Sequence, residues 1–142
     1  MEIFLSTKDR KQIIKLPVIP PEIKVNSPSQ NEIYSTISQG DIKLIGPPGL
    51  RTISFSSFFP FESYSWAKDR TYKGMRYVHM IEKWKASKEP IRLVITGKKA
   101  SILNMLCAID SIEFGSQDGT SDIYYTLSLS EFKLLPLQKR KA

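Results

Sequence analysis

Apolar and polar residues alternate along several short stretches of the chain, the pattern of strands that bury one face. In residues 49–60, Ile53 and Phe55 alternate with serine and threonine. The same criterion predicts strands at 2–5, 11–16, 32–37, 41–45, 91–97, 102–114 and 123–135. The last two are expected to pair as a hairpin. Because Phe132 falls out of phase with Leu129, we predict either a β-bulge or bend near Ser130 and Glu131 or a strand that crosses from one sheet to another.

A helical period occurs once, in residues 73–87. Tyr77, Val78, Ile81 and Trp84 recur at spacings of three and four, which predicts one amphipathic helix. Proline-rich residues 17–25 are expected to form a loop or the edge of a sheet, since proline cannot donate to a central ladder.

About eight strands and one helix predict a mainly β (α+β) fold. We expect a small antiparallel β-sandwich or barrel with the helix packed on it, forming one domain over residues 1–138. The basic C-terminal residues 139–142 are expected to be a disordered tail. Cys107 is the single cysteine, so an internal disulfide is excluded. Apolar stretches fall short of the roughly 20 residues that span a bilayer, so no membrane association is expected.

Charge is distributed unevenly along the chain, whose net charge is +7. Residues 68–99 carry ten basic and three acidic side chains, whereas residues 100–138 carry one basic and five acidic ones. This pattern is typical either of a solvated basic face or of a surface that binds a polyanion or a protein of opposite potential. The charged candidates for a protein interface are Arg76, Lys83, Lys85, Asp118, Asp122, Lys139, Arg140 and Lys141.

Aromatic residues crowd into the segment before the helix. The candidates are Phe58, Phe59, Phe61, Tyr64 and Trp66. About half of these rings are expected to join the core, while exposed ones can anchor a protein partner or stack on single-stranded nucleic acid. Protein contact is favoured because no RNA-recognition signature is present. A nucleic-acid-binding β-barrel with a basic and aromatic surface stays open as the alternative.

Residues that could carry catalysis do not form a constellation. His79 lies in the predicted helix and Cys107 in a predicted strand, and a zinc site needs about four suitable ligands. The glycines match neither a phosphate-binding loop nor a dinucleotide fingerprint. Asp118 and Asp122 lack the spacing of a calcium loop and indicate a polar hairpin tip. We therefore expect no enzymatic activity, no metal and no cofactor.

Four blocks of sequence, read in order, carry a family resemblance. They are KLPVIPPEIKV at 15–25, GDIKLIGPPGLRTISFSSFFP at 40–60, MIEKWKASKEPIRLVITG at 80–97 and IDSIEFGSQDGTSDIYYTLSLSEFKLL at 109–135. Together they resemble the N-terminal domain of LysM-bearing tail proteins of contractile-tailed phages, PBSX-like prophages and R-type bacteriocins. The resemblance implies a tail-tube-like fold and a structural role in the baseplate hub region.

The implied partners are tail-tube, hub and baseplate wedge proteins, with six copies of the chain around the tail axis. The resemblance implies no enzymatic activity or cofactor. It also implies synthesis in the bacterial cytoplasm followed by incorporation into the assembled tail or bacteriocin particle. The family typically continues into a LysM module, and residues 1–142 are expected to contain none. As a hypothesis, the basic surface of residues 68–99 meets an acidic surface, either on the hairpin of residues 110–122 in another subunit or on a different ring.

Overall fold

The computed structural model describes residues 1–61, 67–68, 72–117, 119 and 121–133. This part of the chain forms nine strands and one helix, which confirms the mainly β prediction with one strand more than expected. The elements are β1 (Glu2–Thr7), β2 (Ile13–Lys15), β3 (Lys24–Asn26), β4 (Glu32–Thr36), β5 (Gly40–Leu44), β6 (Thr52–Phe59), α1 (Met75–Ser87), β7 (Ile91–Thr96), β8 (Ser101–Ser116) and β9 (Ile123–Glu131).

Seven strands form one antiparallel sheet in the order β2-β1-β7-β8-β9-β6-β3. Strand β8 is long enough to serve both halves of this sheet. Its first half pairs with β7 and its second half with β9, and Cys107 pairs on both sides, with Ile91 and with Glu131. Strand β3, which ends the proline-rich segment, lies at the edge of the sheet as predicted.

The core lies between the inner face of the sheet and the helix. Side chains from both halves of the sheet join a single buried cluster that includes Ile3, Leu93, Phe55 and Leu127. The helix contributes the predicted stripe, namely Tyr77, Val78, Ile81 and Trp84, all of them buried. It ends where Lys88 adopts a left-handed conformation, two residues before Pro90. Within the described residues, no helix is long and apolar enough to cross a membrane.

The shift in phase between the two late strands occurs in β8. Ile109 pairs with Leu129 and Ser111 with Ser128, so Asp110 is the extra residue of a bulge. The prediction of a bulge near Ser130 and Glu131 was therefore wrong. Phe132 follows the end of β9 with 40% of its surface exposed, so it did not need to return to the core.

Candidate protein-interaction surfaces

The aromatic residues at the end of β6 divide between the two faces of the sheet. Phe59 is fully buried and stacks between Tyr77 of the helix at 4.7 Å and Tyr125 of β9 at 4.1 Å, measured between ring centroids. This stack of three rings joins the helix to the sheet. Burial raises the pKa of the Tyr125 hydroxyl above its ordinary range. Phe59 is thus part of the core.

Phe58 and Phe61 are more accessible than Phe59. Phe58 is half-buried on the outer face of the sheet and packs on Tyr124, with 5.3 Å between ring centroids. Phe61 is 50% exposed. Its backbone N–H donates to the carboxylate of Asp122 at 2.9 Å, and Asp122 is only 8% exposed. Asp122 therefore holds the start of the loop after β6 in place.

Several candidates from the sequence lie outside the described residues. They are Tyr64, Trp66, Asp118, Lys139, Arg140 and Lys141. The remaining basic candidates, Arg76, Lys83 and Lys85, are exposed on the helix.

Strands β4 and β5 form a separate hairpin, which we call the arm (residues 32–45). Ile42 pairs with Tyr34, and Leu44 pairs with Glu32, so these side chains share one face. Tyr34, Ile42 and Leu44 are 52%, 38% and 49% exposed. The Tyr34 hydroxyl donates to Glu32 at 2.8 Å, which orients the ring along the face. Among the described residues, no second layer covers this apolar face, and a two-stranded hairpin alone is marginally stable in water.

A stiff stem connects the arm to the main sheet. Below the arm, the N–H of Gln30 donates to the carbonyl of Pro47, and the N–H of Gly49 donates to the carbonyl of Pro28, both at 2.8 Å. The N–H of Gly46 donates to the side chain of Asn31 at 2.8 Å. Glycine is required at 46, since a Cβ there would lie 1.7 Å from the carbonyl oxygen of Gln30. The stem therefore fixes the direction of the arm.

An apolar groove of about 570 Å³ lies on the main body, beside the ends of β6, β8 and β9. The half-buried rings of Phe58 and Tyr124 contribute to it, and Phe114 is 45% exposed. Val18 and Ile19, from the chain after β2, provide aliphatic surface. Glu113 is the one charged residue among those that line it. Such a lining suits an apolar side chain from another polypeptide.

Basic side chains converge where the β1–β2 loop meets the helix, a surface we call the basic cradle (Lys8, Lys11, Arg76, His79 and Lys83). The indole N–H of Trp84 donates to Gln12 at 2.9 Å and ties the loop to the helix. Two carboxylates lie near these cations. Asp9 accepts hydrogen bonds from within its own loop, which lowers the pKa of its carboxyl, and Glu89 follows the helix. The cradle therefore keeps an excess of positive charge.

Cys107 and His79, the two residues considered for catalysis from the sequence, are in unlike environments. Cys107 is buried in β8, and this burial raises the pKa of its thiol to about 12, so the reactive thiolate is scarce. His79 is exposed on the helix. Among the described residues, no three His, Cys, Asp or Glu side chains are grouped closely enough to hold a metal ion.

Sequence comparison finds a curated relative. No protein-family model matches the chain. The uncharacterized protein YqbP of Bacillus subtilis (strain 168) is 36% identical over 136 residues. The match covers 92% of this chain, which spans 59% of the length of YqbP.

Solved structures that are similar to this chain include components of phage-tail-like particles. A chain from the virion of a native gene transfer agent particle gives a TM-score of 0.59 at 12% identity, covering 93% of this chain and 92% of that chain. A chain from the tail of an empty gene transfer agent particle, with C6 symmetry, gives 0.57 at 14% identity, covering 96% and 93%. A chain from the sixfold-symmetrised anti-feeding prophage baseplate gives 0.52 at 6% identity, covering 93% and 88%. The chain thus shares the fold of components of such assemblies.

The arm and the groove are surfaces that sequence reasoning did not identify as candidate sites. Both strands of the arm were predicted, but alternation alone does not tell which strand face a core will cover. The flanking stretches NSPSQN at 26–31 and GPPG at 46–49 were the available signal. Proline and glycine on both sides of a hairpin indicate a hairpin set apart from the main sheet.

Proposed function

We propose that this protein is a structural subunit of a phage-tail-like particle and acts by protein–protein contact. The observation that carries the proposal is the arm, whose apolar face is exposed on a stem that holds it away from the core. An uncovered face of this kind is typical of a docking surface. The fold shared with tail and baseplate components gives the context in which the arm would dock.

At finer detail, we propose that the chain belongs to the baseplate hub region. There it would connect tube, hub and wedge proteins as a ring of six copies. The family resemblance noted in the sequence supports this position, as does the likeness to a baseplate component from a sixfold-symmetrised assembly. The 36% identity with YqbP, a protein of Bacillus subtilis, is consistent with a bacterial source.

The basic cradle supports a second contact, with an acidic protein surface. Its cations come from two elements tied together by Trp84 and Gln12, so they are presented as one surface. The binding partner could be the acidic late segment of another copy or an acidic patch on a different ring. Such contacts set orientation and association rate more than affinity.

The test is incorporation into particles. The gene for this protein would be deleted from its host, and tagged variants would be supplied from a plasmid before particles are induced and purified. We expect wild-type protein in the particles and a strong loss with the arm variant Tyr34→Ser/Leu44→Ser. The matched control is Ile33→Ser, which removes an exposed apolar side chain from the opposite face of the arm. Particles that assemble normally and lack the protein would refute the proposed function.

A further inference from the structure

We infer that the basic cradle of one copy binds two carboxylates on the next copy, so that the chain associates head to tail. These carboxylates, which we call the acidic pair, are Asp110 at the bulge of β8 and Glu113 further along the same strand. The inference rests on the proposed function, because it names the partner of the cradle.

The centre of the cradle is a pocket of about 550 Å³ between the β1–β2 loop and the helix. Lys11, Arg76, His79 and Lys83 line this pocket, and no aspartate or glutamate among the described residues does so. Within that part of the chain, none of these four side chains takes part in an ion pair. The pocket therefore keeps its positive charge for an anionic group from outside the chain.

The acidic pair lies on the outer face of the sheet. Glu113 pairs with Thr126, which in turn pairs with Ser56 on the exposed side of β6. Asp110 accepts a hydrogen bond from Ser130 at 3.0 Å. Both carboxylates are exposed, and neither forms an ion pair with a described residue. The negative charge of this face is therefore also unmatched.

A second copy supplies what each surface lacks. The helix covers the inner face of the sheet, so the sheet separates the cradle from the acidic pair within one chain. Lys24 and Arg92, two basic residues on the outer face, already contact Glu22 at 3.2 Å and Asn104 at 2.7 Å. Opposite charges on opposite faces orient identical chains head to tail. Such a contact is heterologous, and it closes into a ring when the rotation between copies permits.

Apolar surface lies beside the charges on both faces. Ile13 is 51% exposed at the pocket of the cradle, and Phe114 is 45% exposed in the groove that Glu113 also lines. Because exposed ion pairs are individually weak, we expect the apolar area to supply much of the affinity and the charges to set the orientation. The test must therefore detect a weak association.

Carbodiimide cross-linking meets this need, because it joins a lysine amine directly to a carboxylate in contact with it. Isotope-labelled and unlabelled protein would be mixed at high concentration and cross-linked, and the products would be identified by mass spectrometry. We expect products of mixed isotope content that join Lys11 or Lys83 to the acidic pair. Lys85 and Glu82, which lie 2.9 Å apart in one chain, provide the internal check that the reaction has worked.

Charge reversal distinguishes this contact from other associations. Lys11→Glu/Lys83→Glu reverses the cradle, and Asp110→Lys/Glu113→Lys reverses the acidic pair. In each variant alone like charges meet, so we expect self-association, measured by light scattering at low salt, to fall by at least about tenfold. Mixing the two variants restores opposite charges at every contact between unlike chains, so association should return.

The matched control is Lys98→Glu/Lys99→Glu, which changes the net charge as much as the cradle variant does. Both of these lysines are exposed in the turn after β7, and neither lines the cradle. The control should associate like wild type, and circular dichroism would check the folding of every variant.

Three results would each overturn the inference: no mixed-isotope product at the cradle, an equal loss in the control, or a mixture as impaired as its two components. If the inference fails while the chain is still found in purified particles, the proposed function stands. Absence from the particles is a separate result, which refutes the proposed function itself.

Discussion

Strand β9 and the arm carry the same alternating pattern, yet their apolar faces are in opposite environments. Tyr125 and Leu127 in β9 are 3% exposed or less, whereas Tyr34 and Ile42 in the arm are 52% and 38% exposed. The difference lies in what packs against each pair of strands. The helix and neighbouring strands cover β9, and the described part of this chain provides no such layer for the arm. Alternation thus marks the face to be covered, and the cover of the arm is expected from another subunit.

The largest expected effect on stability is in the covered region. Phe59→Ala would remove the central ring of the stack between Tyr77 and Tyr125. Because large core truncations leave a cavity, we expect a loss of about 3–5 kcal/mol in the free energy of unfolding, measured by urea denaturation. Phe58→Ala, at the half-buried neighbour, should cost clearly less. Equal losses for the two variants would mean that the stack does not form the centre of the core.

The next effect concerns the stem. Gly46→Ala places a methyl group where the carbonyl of Gln30 lies, so the backbone must move and the arm must tilt. We expect incorporation into purified particles to fall by about tenfold, since about 1.4 kcal/mol of lost docking energy suffices. The control is Gly115→Ala, because a Cβ at that position meets nothing within 4 Å. Unchanged incorporation of Gly46→Ala would show that the direction of the arm is unimportant.

A smaller effect is expected at the basic cradle. Lys83→Glu reverses a charge within the cradle, while Lys85→Glu reverses one that is paired with Glu82 at 2.9 Å, outside it. Exposed ion pairs are typically worth about 0.2–1 kcal/mol, so the association of Lys83→Glu with partner proteins should weaken only a few-fold. The difference from wild type should become smaller at high salt. Light scattering of mixtures at two salt concentrations would measure this. If the protein instead bound single-stranded DNA, and this binding fell steeply as the salt concentration rose, nucleic acid would be favoured as the partner.

The smallest effect concerns pH and the edge of the core. Arg51 donates to Glu131 from its backbone and its guanidinium, both at 3.1 Å, and these bonds lower the pKa of the carboxyl. Because this pKa is lower in the folded state, the ionised carboxylate stabilises the fold at pH values above the unfolded pKa of about 4.3. That stabilisation is lost as the pH falls through the folded pKa. The thermal midpoint of wild type should therefore exceed that of Glu131→Gln at pH 7 and converge with it in acid. A constant difference from pH 7 to pH 3 would contradict the assignment.

Much of the fold was predictable because its signals are local. The spacing of Tyr77, Ile81 and Trp84 predicted the helix, and alternation predicted every strand of the main sheet except β3. Two features were not predictable for physical reasons. The bulge at Asp110 is set by pairing across strands, so its position within the hairpin cannot be deduced from either strand alone. Exposure of the arm depends on which elements fold against it, a tertiary property that alternation does not contain.

Hydrogen exchange in the arm tests the central claim most directly. Amide exchange across residues 32–44 would be followed by mass spectrometry in the dilute chain and in assembled particles, with β9 as the internal reference. In the dilute chain, we predict fast exchange in the arm and slow exchange in β9. After assembly, the arm should be strongly protected, while exchange in β9 stays slow. Protection of the arm already in the dilute chain, or none gained on assembly, would contradict its role as the docking element.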